Sequence, residues 1–487
     1  MFTDNGSVYF TFSLYFVAML FIGLHFYRKT ASLSDYVLGG RSLGPWVGAL
    51  SACASDMSGW LLLGLPGSVY RYGLGSAFWM SLGLALGTWC NWQFVARKLR
   101  RFTEFADDSL TISEYLEVRF QDKTKILRFF SGTFIIIFFI FYTASGFVAG
   151  AKLFTTVFNI SYFYSLLISI VVIISYTFLG GFLAVSWTDF FQGMLMLFSI
   201  CFVCIFGYSL IKNNPVIIQS HLQLFSIFKT NEKVGLLAIL SSMAWGLGYF
   251  GQPHILTRFM GLKSEEDIRP ARIIAVSWTI ICLCAAILVG LIGYAQTQIS
   301  GVPAGFDPER IFMLLIEVFF HPLIAGIMLA AILAAVMSTA DSQLIVVASS
   351  FTEDFYKFFT KHKISEKNLI YISRSTVIAV AILAGFLASN QNSSVLDLVS
   401  YAWAGFGAAF GPVILFSLFW KRMTRISAIS GMISGGITII VWKNWLHGGV
   451  FDLYELLPGF IIASLVIVVV SLLGKMPDKE VTAIFYK

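Results

Sequence analysis

An aspartate stands in the middle of an apolar run that reads Ser51-Ala52-Cys53-Ala54-Ser55-Asp56-Met57-Ser58-Gly59-Trp60. If that run crosses a bilayer, a carboxylate at its centre costs at least about 2.5–3.5 kcal/mol. No Lys or Arg lies in the same run to pair with it. A bound cation is an economical partner; a protonated or hydrogen-bonded structural carboxyl is the alternative. A second stretch, Ala334-Ala335-Val336-Met337-Ser338-Thr339-Ala340-Asp341-Ser342, sets Ala335 and Thr339 four apart, and Ser338 and Ser342 likewise. Each pair shares a helix face. Hydroxyls and backbone carbonyls are hard oxygen ligands that suit an alkali cation. On the plainer reading the same hydroxyls bond back to their own helix or pack it against a neighbour. A third stretch, Trp245-Gly246-Leu247-Gly248-Tyr249-Phe250-Gly251-Gln252-Pro253-His254, holds three glycines and a proline. A regular helix there loses a hydrogen bond at Pro253 and carries extra backbone entropy at each glycine. Trp245 and Tyr249 are again four apart and, with Tyr142, are candidates to line a cavity. Packing is the default for the remaining aromatics. Asp189 and Asp341 are the other acids within or at the ends of apolar runs. The six cysteines lie inside apolar segments and read as small buried hydrophobes. They suggest neither a disulfide framework nor a metal site, and the scattered histidines suggest no chemistry.

The elements that position these residues follow from composition. Of 487 residues, 57% are hydrophobic and 12% charged, Phe occurs 48 times, and the mean hydropathy is +0.81. Soluble domains carry about 25% charged residues. The fold class expected is an all-α polytopic membrane protein. A membrane β-barrel alternates apolar and polar residues, whereas these runs are continuously apolar. The net charge of +7 does not indicate nucleic acid, because the bases sit in short loops. No cleavable signal is expected, since the first run lacks a basic leader and is long enough to span.

Thirteen runs are long enough to cross a bilayer: 7–27, 43–70, 74–96, 129–151, 161–182, 188–211, 235–257, 273–297, 322–350, 369–389, 398–420, 427–446 and 457–474. The second and ninth are long enough to be bent or tilted. With the N-terminus outside, 26 of the 33 Lys and Arg residues fall in inside loops, as the positive-inside rule asks. Arg258 is counted inside and Lys152 outside. Spans two and seven carry the irregular stretches and are five apart. Spans 43–211 and 235–420 could therefore be two five-helix repeats, necessarily inverted, flanked by 7–27, 427–446 and 457–474. Broken helices in matched positions of two repeats mark a midplane substrate site in secondary transporters. No nucleotide-binding motif, catalytic nucleophile or metal cluster points to an enzyme or a pump. The chain reads as a single transmembrane domain that draws on an ion gradient or equilibrates its substrate.

Five stretches carry a family resemblance: DYVLGGRSLGPWVGALSACASDMSGWLLLGLPG (35–67), YTASGFVAGAKLF (142–154), YTFLGGFLAVSWTD (176–189), WGLGYFGQPHILTRFM (245–260) and ILAAVMSTADSQL (332–344). In these the chain resembles the sodium/solute symporter family, most closely its bacterial proline carriers. The resemblance implies about 13 transmembrane helices, with inverted five-helix repeats of the leucine-transporter type. It implies Na+ as the coupling ion and L-proline as the substrate, in a bacterial inner membrane, with the N-terminus outside and the C-terminus cytoplasmic. The sodium ligands it implies are the carbonyls of Ala54, Met57 and Ala335 and the hydroxyls of Ser338 and Thr339, with Asp56 nearby. Tyr142, Trp245, Tyr249 and Pro253 would hold the substrate, with Ser58 and Gly59 near its carboxylate. Arg41 and Asp189 would serve gating and coupling. Relatives that move two sodium ions look similar around Asp189 but carry a serine at the Ala335 position, so this chain is expected to move one. Another small solute, or protons in place of sodium, are the alternatives.

Overall fold

The computed structural model describes residues 5–27, 33–106, 108–177, 181–213, 226–228, 235–302, 305–356 and 365–485. Arg28, Lys29, Lys229, Lys233, Lys357, Lys361, Lys363, Lys487, residues 178–180 and most of the expected outer loop 212–234 lie outside them.

Among the described residues, each of the thirteen expected spans is mostly helical, and eight helices are by themselves long and apolar enough to cross a membrane. The described residues hold no strand, and one isolated parallel bridge joins Leu43 to Leu262. Several starts are set by local chemistry. Pro45, Pro253 and Pro322 occupy first helical turns, where a missing N–H costs nothing. Thr424 and Ser427 cap each other at the start of Arg425–Trp445, a reciprocal arrangement that satisfies two otherwise free donors. Two short helices, Ile112–Arg119 and Ile311–Phe319, occupy the largest expected loops.

Span two is broken as expected. It runs from Pro45 to Asp56, leaves helical geometry at Met57 (φ −83°, ψ 77°), and resumes through a wide π-helical turn, Trp60–Gly64, into Leu65–Tyr72. Span seven is also interrupted, but in a different way. Leu236–Met243 tightens into a 3-10 helix over Ala244–Gly251 and breaks at Gln252 before Pro253–Gly261. Its glycines serve close packing as well as chain flexibility. A Cβ on Gly246 would stand 2.1 Å from the Gly83 carbonyl oxygen of span three, and one on Gly87 would stand 2.3 Å from the Gly246 oxygen. Span nine stays a single helix over Pro322–Ser350, because nothing after Gly326 interrupts its hydrogen-bond ladder.

The spans pack in exchanged pairs. Span two lies against spans six and eight, and span seven lies against spans eleven and three. Span four packs on span eleven as span nine packs on span six, and spans four and nine pack on each other.

Among the basic residues assigned to loops, Arg258 and Lys152 are buried in helices and paired with acids. Arg258 belongs to the helix Pro253–Gly261 and is 1% exposed. Lys152 lies in the helix Ile126–Phe158, bonded to Glu309 (2.6 Å) and Asp307 (2.8 Å). Both sit at the ends of apolar runs, where a base beside its acid and a base in water look the same in sequence. Orientation therefore rests on the remaining loop bases.

Candidate functional site

The break in span two turns the Ala54 and Asp56 carbonyls away from a continuous ladder and toward other spans. Ser338 Oγ and Thr339 Oγ1 of span nine donate to the Ala54 oxygen at 2.8 and 3.3 Å. Ser338 also reaches the Ala335 carbonyl at 3.2 Å. Two carbonyls and two hydroxyls thus converge at one seam between spans two and nine. Met57, at the break, closes the first half of span two by donating its N–H to the Cys53 oxygen at 2.8 Å. Back-bonding does not exhaust the Ser338 hydroxyl, which faces a carbonyl of another span as well as one of its own.

Asp56 stands two residues beyond Ala54, 2% exposed. Tyr249 Oη of span seven donates to its Oδ2 at 2.6 Å. Its backbone oxygen accepts the Tyr142 hydroxyl at 3.1 Å and the Trp60 indole N–H at 3.1 Å. Its Oδ1 is buried without a hydrogen-bond partner, and no Lys or Arg is paired with it among the described residues. A buried, incompletely bonded carboxylate is costly unless a cation or proton satisfies it.

Trp245 and Tyr249 enter an aromatic cluster that the sequence did not reveal. Trp245 stacks on Tyr454 (ring centroids 5.2 Å) and lies 6.5 Å from both Trp60 and Trp403; Tyr249 meets Trp403 edge-on at 5.0 Å. The 3-10 segment is pinned from outside itself. Trp403 donates its indole N–H to the Trp245 oxygen at 2.8 Å, and Asn91 donates its amide to the Tyr249 oxygen at 2.9 Å. Such tethers answer the backbone acceptors that an irregular helix leaves free. Asn91 and Gln252, polar residues inside apolar runs, were the available signal for them.

Ser58 and Gly59 fill the break itself. Ser58 Oγ accepts the Trp60 N–H at 3.4 Å. A Cβ on Gly59 would stand 2.6 Å from that of Ala149 on span four, so glycine is needed there for contact. Tyr142, Trp245, Tyr249, Ser58 and Gly59 are thus brought together with Asp56. Pro253 is not. It lines a small cavity with Val37, Thr111, Ile135, Thr257 and Ser350, below the aromatic cluster.

Arg41 and Asp189 lie apart from this centre. Arg41, with left-handed backbone (φ 50°), donates to Asp108 (2.6 Å), the Met260 oxygen (2.7 Å) and the Ser109 oxygen (3.1 Å). It ties the entrance of span two to the end of span seven, beside the Leu43–Leu262 bridge. Asp189 Oδ2 accepts the Ser51 hydroxyl at 2.7 Å and faces Arg258 Nη2 at 3.3 Å. On the opposite side of the bundle, Glu309, held by Lys152, accepts the Ser394 hydroxyl and the Val395 N–H, both at 3.1 Å. A polar cavity of about 300 Å³, lined by Arg71, Lys152, Asp307, Glu309 and Asp397, opens beside that contact.

The family model described as "Sodium:solute symporter family" matches residues 36–435. The sodium/proline symporter of Salmonella typhimurium is 49% identical, over 98% of this chain and 95% of its own length. That of Escherichia coli is 50% identical, over 96% and 93%. Among solved structures, a Na+-coupled sialic acid symporter in a substrate-bound, outward-open state superposes with a TM-score of 0.81, at 20% identity, over 98% of this chain and 100% of that one. The fold is of the leucine-transporter type.

Proposed function

Because this chain belongs to the sodium:solute symporter family, we propose that it imports L-proline by sodium-coupled alternating access, with one sodium per proline. The observation that carries this reading is the hydroxyl–carboxylate bond between Tyr249 and Asp56. It joins the span that would hold the substrate to the span that would hold the ion.

Sodium binds between spans two and nine, on the Ala54, Met57 and Ala335 carbonyls and the Ser338 and Thr339 hydroxyls, with Asp56 supplying negative charge. Ser338 and Thr339 then turn their donors from the Ala54 oxygen, and that oxygen becomes a ligand. The ion fixes the break in span two, and through Asp56 it sets Tyr249 and the 3-10 segment of span seven. The helix restarting near Ser58 and Gly59 presents backbone N–H groups to a carboxylate. The faces of Trp245, Tyr249 and Tyr142 pack against an apolar pyrrolidine ring. Pro253 lies on the route by which the substrate leaves, through the cavity beside Thr257.

Two contacts close the ends of that route. Arg41 and the Leu43–Leu262 bridge hold the inner side, and Lys152 with Glu309 holds the outer side. The protein is an integral membrane transporter; we place it in a bacterial inner membrane with the N-terminus outside and the C-terminus cytoplasmic. Residues 43–211 and 235–420 form the two inverted repeats. The exchanged packing supports that division, since swapping span two for seven and span six for eleven reproduces the same pairs.

One charge crossing 100 mV supplies about 2.3 kcal/mol, and a tenfold sodium gradient adds about 1.4 kcal/mol. Together they sustain a few-hundredfold accumulation, which suffices for a scavenger. The test is radiolabelled proline uptake into proteoliposomes, with and without sodium at fixed pH. Uptake is expected only with a sodium gradient. Uptake that follows a proton gradient instead would replace the ion, and failure of proline to be taken up or to compete would replace the substrate.

A further inference from the structure

We infer that a cleft between the start of span twelve, the end of span thirteen and the loop before span four binds the headgroup of an anionic phospholipid. The cleft measures about 590 Å³, within the range of sites that hold small ligands. Three separate segments build it. Gln121 and Lys123 come from the loop that follows Ile112–Arg119, Arg425 and Ile426 from the first turn of Arg425–Trp445, and Lys475 and Met476 from the chain that leaves Leu456–Leu473. The loop is fastened to span twelve by Asp122, which is buried. Its Oδ2 accepts the Leu127 N–H at 2.8 Å, and its Oδ1 accepts the Thr124 N–H at 3.1 Å and faces Arg425 Nη1 at 3.2 Å. The Arg425 side chain is still 38% exposed, so part of its planar fork stays open to the cleft. Lys123 and Lys475 are exposed and, among the described residues, unpaired. Three cations thus face Asp478, the one acid among the described lining residues.

That surplus selects an anion, and the remaining walls select which one. Ile426 and Met476 line the same cleft and are exposed, and Leu472 and Leu473 continue this apolar surface along the end of span thirteen, exposed as well. A free phosphate gains nothing from such walls. A phospholipid uses both features: its phosphodiester meets the bases while its acyl chains lie along the two spans. Basic pockets beside membrane helices are suited to anionic headgroups, and long basic side chains at span ends reach that level of the bilayer. The inference rests on the integral-membrane fold and not on which solute or ion is carried.

Native mass spectrometry of the purified full-length protein, without sodium or proline, counts the lipids retained as phosphatidylglycerol, phosphatidylcholine of the same chains or glycerol 3-phosphate is titrated in. One phosphatidylglycerol is expected to bind at least about tenfold more tightly than phosphatidylcholine, without displacement by the soluble phosphate. Lys123→Gln with Lys475→Gln should weaken phosphatidylglycerol about thirtyfold, taking the usual attraction of a lysine to an anionic surface twice, and leave phosphatidylcholine unchanged. Lys123→Arg with Lys475→Arg should bind as wild type does. If the double Gln variant does not fold, Lys123→Gln alone is read by the same criterion, at about fivefold. Arg269→Gln with Arg272→Gln, at the start of Ile268–Ser300 and on the same proposed face, should change nothing. Equal affinity of the wild type for the two lipids overturns the inference. An equal loss from the two Gln pairs also overturns it, because diffuse surface charge would then suffice. Displacement by glycerol 3-phosphate would make this a site for a soluble anion and overturn the lipid assignment.

Discussion

Asp56 and Asp189 are buried alike in this bundle, yet their surroundings differ in kind. Asp189 has an arginine, two hydroxyls and contacts to three other spans. Among the described residues, Asp56 has a tyrosine on one carboxyl oxygen, nothing on the other, and no base. A charge with a fixed partner can hold spans together; a charge without one must acquire and release its partner. On the proposed reading the first is a structural ion pair and the second a site for a mobile ion. That reading puts the mobile site where the helix is broken, since backbone carbonyls are free to act as ligands only there.

The largest effect is expected at the unpartnered acid. Asp56→Ala should reduce sodium-stimulated proline uptake to background, measured in proteoliposomes at matched protein density; normal uptake at low sodium would remove the distinction between the two aspartates. Next comes the seam itself. Ser338→Ala with Thr339→Ala should raise the sodium concentration for half-maximal uptake about a hundredfold, taking about 1.5 kcal/mol per lost contact to a charge. Affinity for proline at saturating sodium should change far less, and an equal change in both would mean that the seam is only packing. Tyr249→Phe removes a single donor to Asp56 and should cost about tenfold in sodium requirement. On the proposed reading that hydroxyl links ion to substrate, so titrating sodium at several proline concentrations should reveal weakened coupling between them. The smallest change is expected at Thr177→Val, which removes the hydrogen bond to Asp341 and a bond back to the Ile173 carbonyl of its own helix. Sodium dependence there should stay within about twofold, and a large shift would bring Asp341 into the ion's environment.

Much of this was legible because membrane physics writes strong local signals. Apolar runs gave the spans, and the aspartate in span two and the glycines and proline of span seven gave the breaks. What the sequence hid was partnership. Asn91 and Tyr249 are 158 positions apart, as are Trp403 and Trp245, and nothing in either segment announces the other. Arg258 was assigned to a loop because a base at the end of an apolar run has the same local signature whether it meets water or Asp189. The form of the second break was hidden too. Gly246 and Gly248 suggest flexibility, but whether the chain unwinds or tightens depends on span three and Trp403, against which those glycines are pressed.

The contact of Gly83 and Gly87 with Gly246 has a practical consequence for following the carrier at work. Backbone meets backbone there, with no side chains to slip past one another, so spans three and seven are expected to move together. Leu86 and Trp89 lie on the outward-facing side of span three, 47% and 43% exposed. A spin label or fluorophore on that surface would therefore report the tilt of the segment proposed to bear the substrate without touching the residues proposed to bind it.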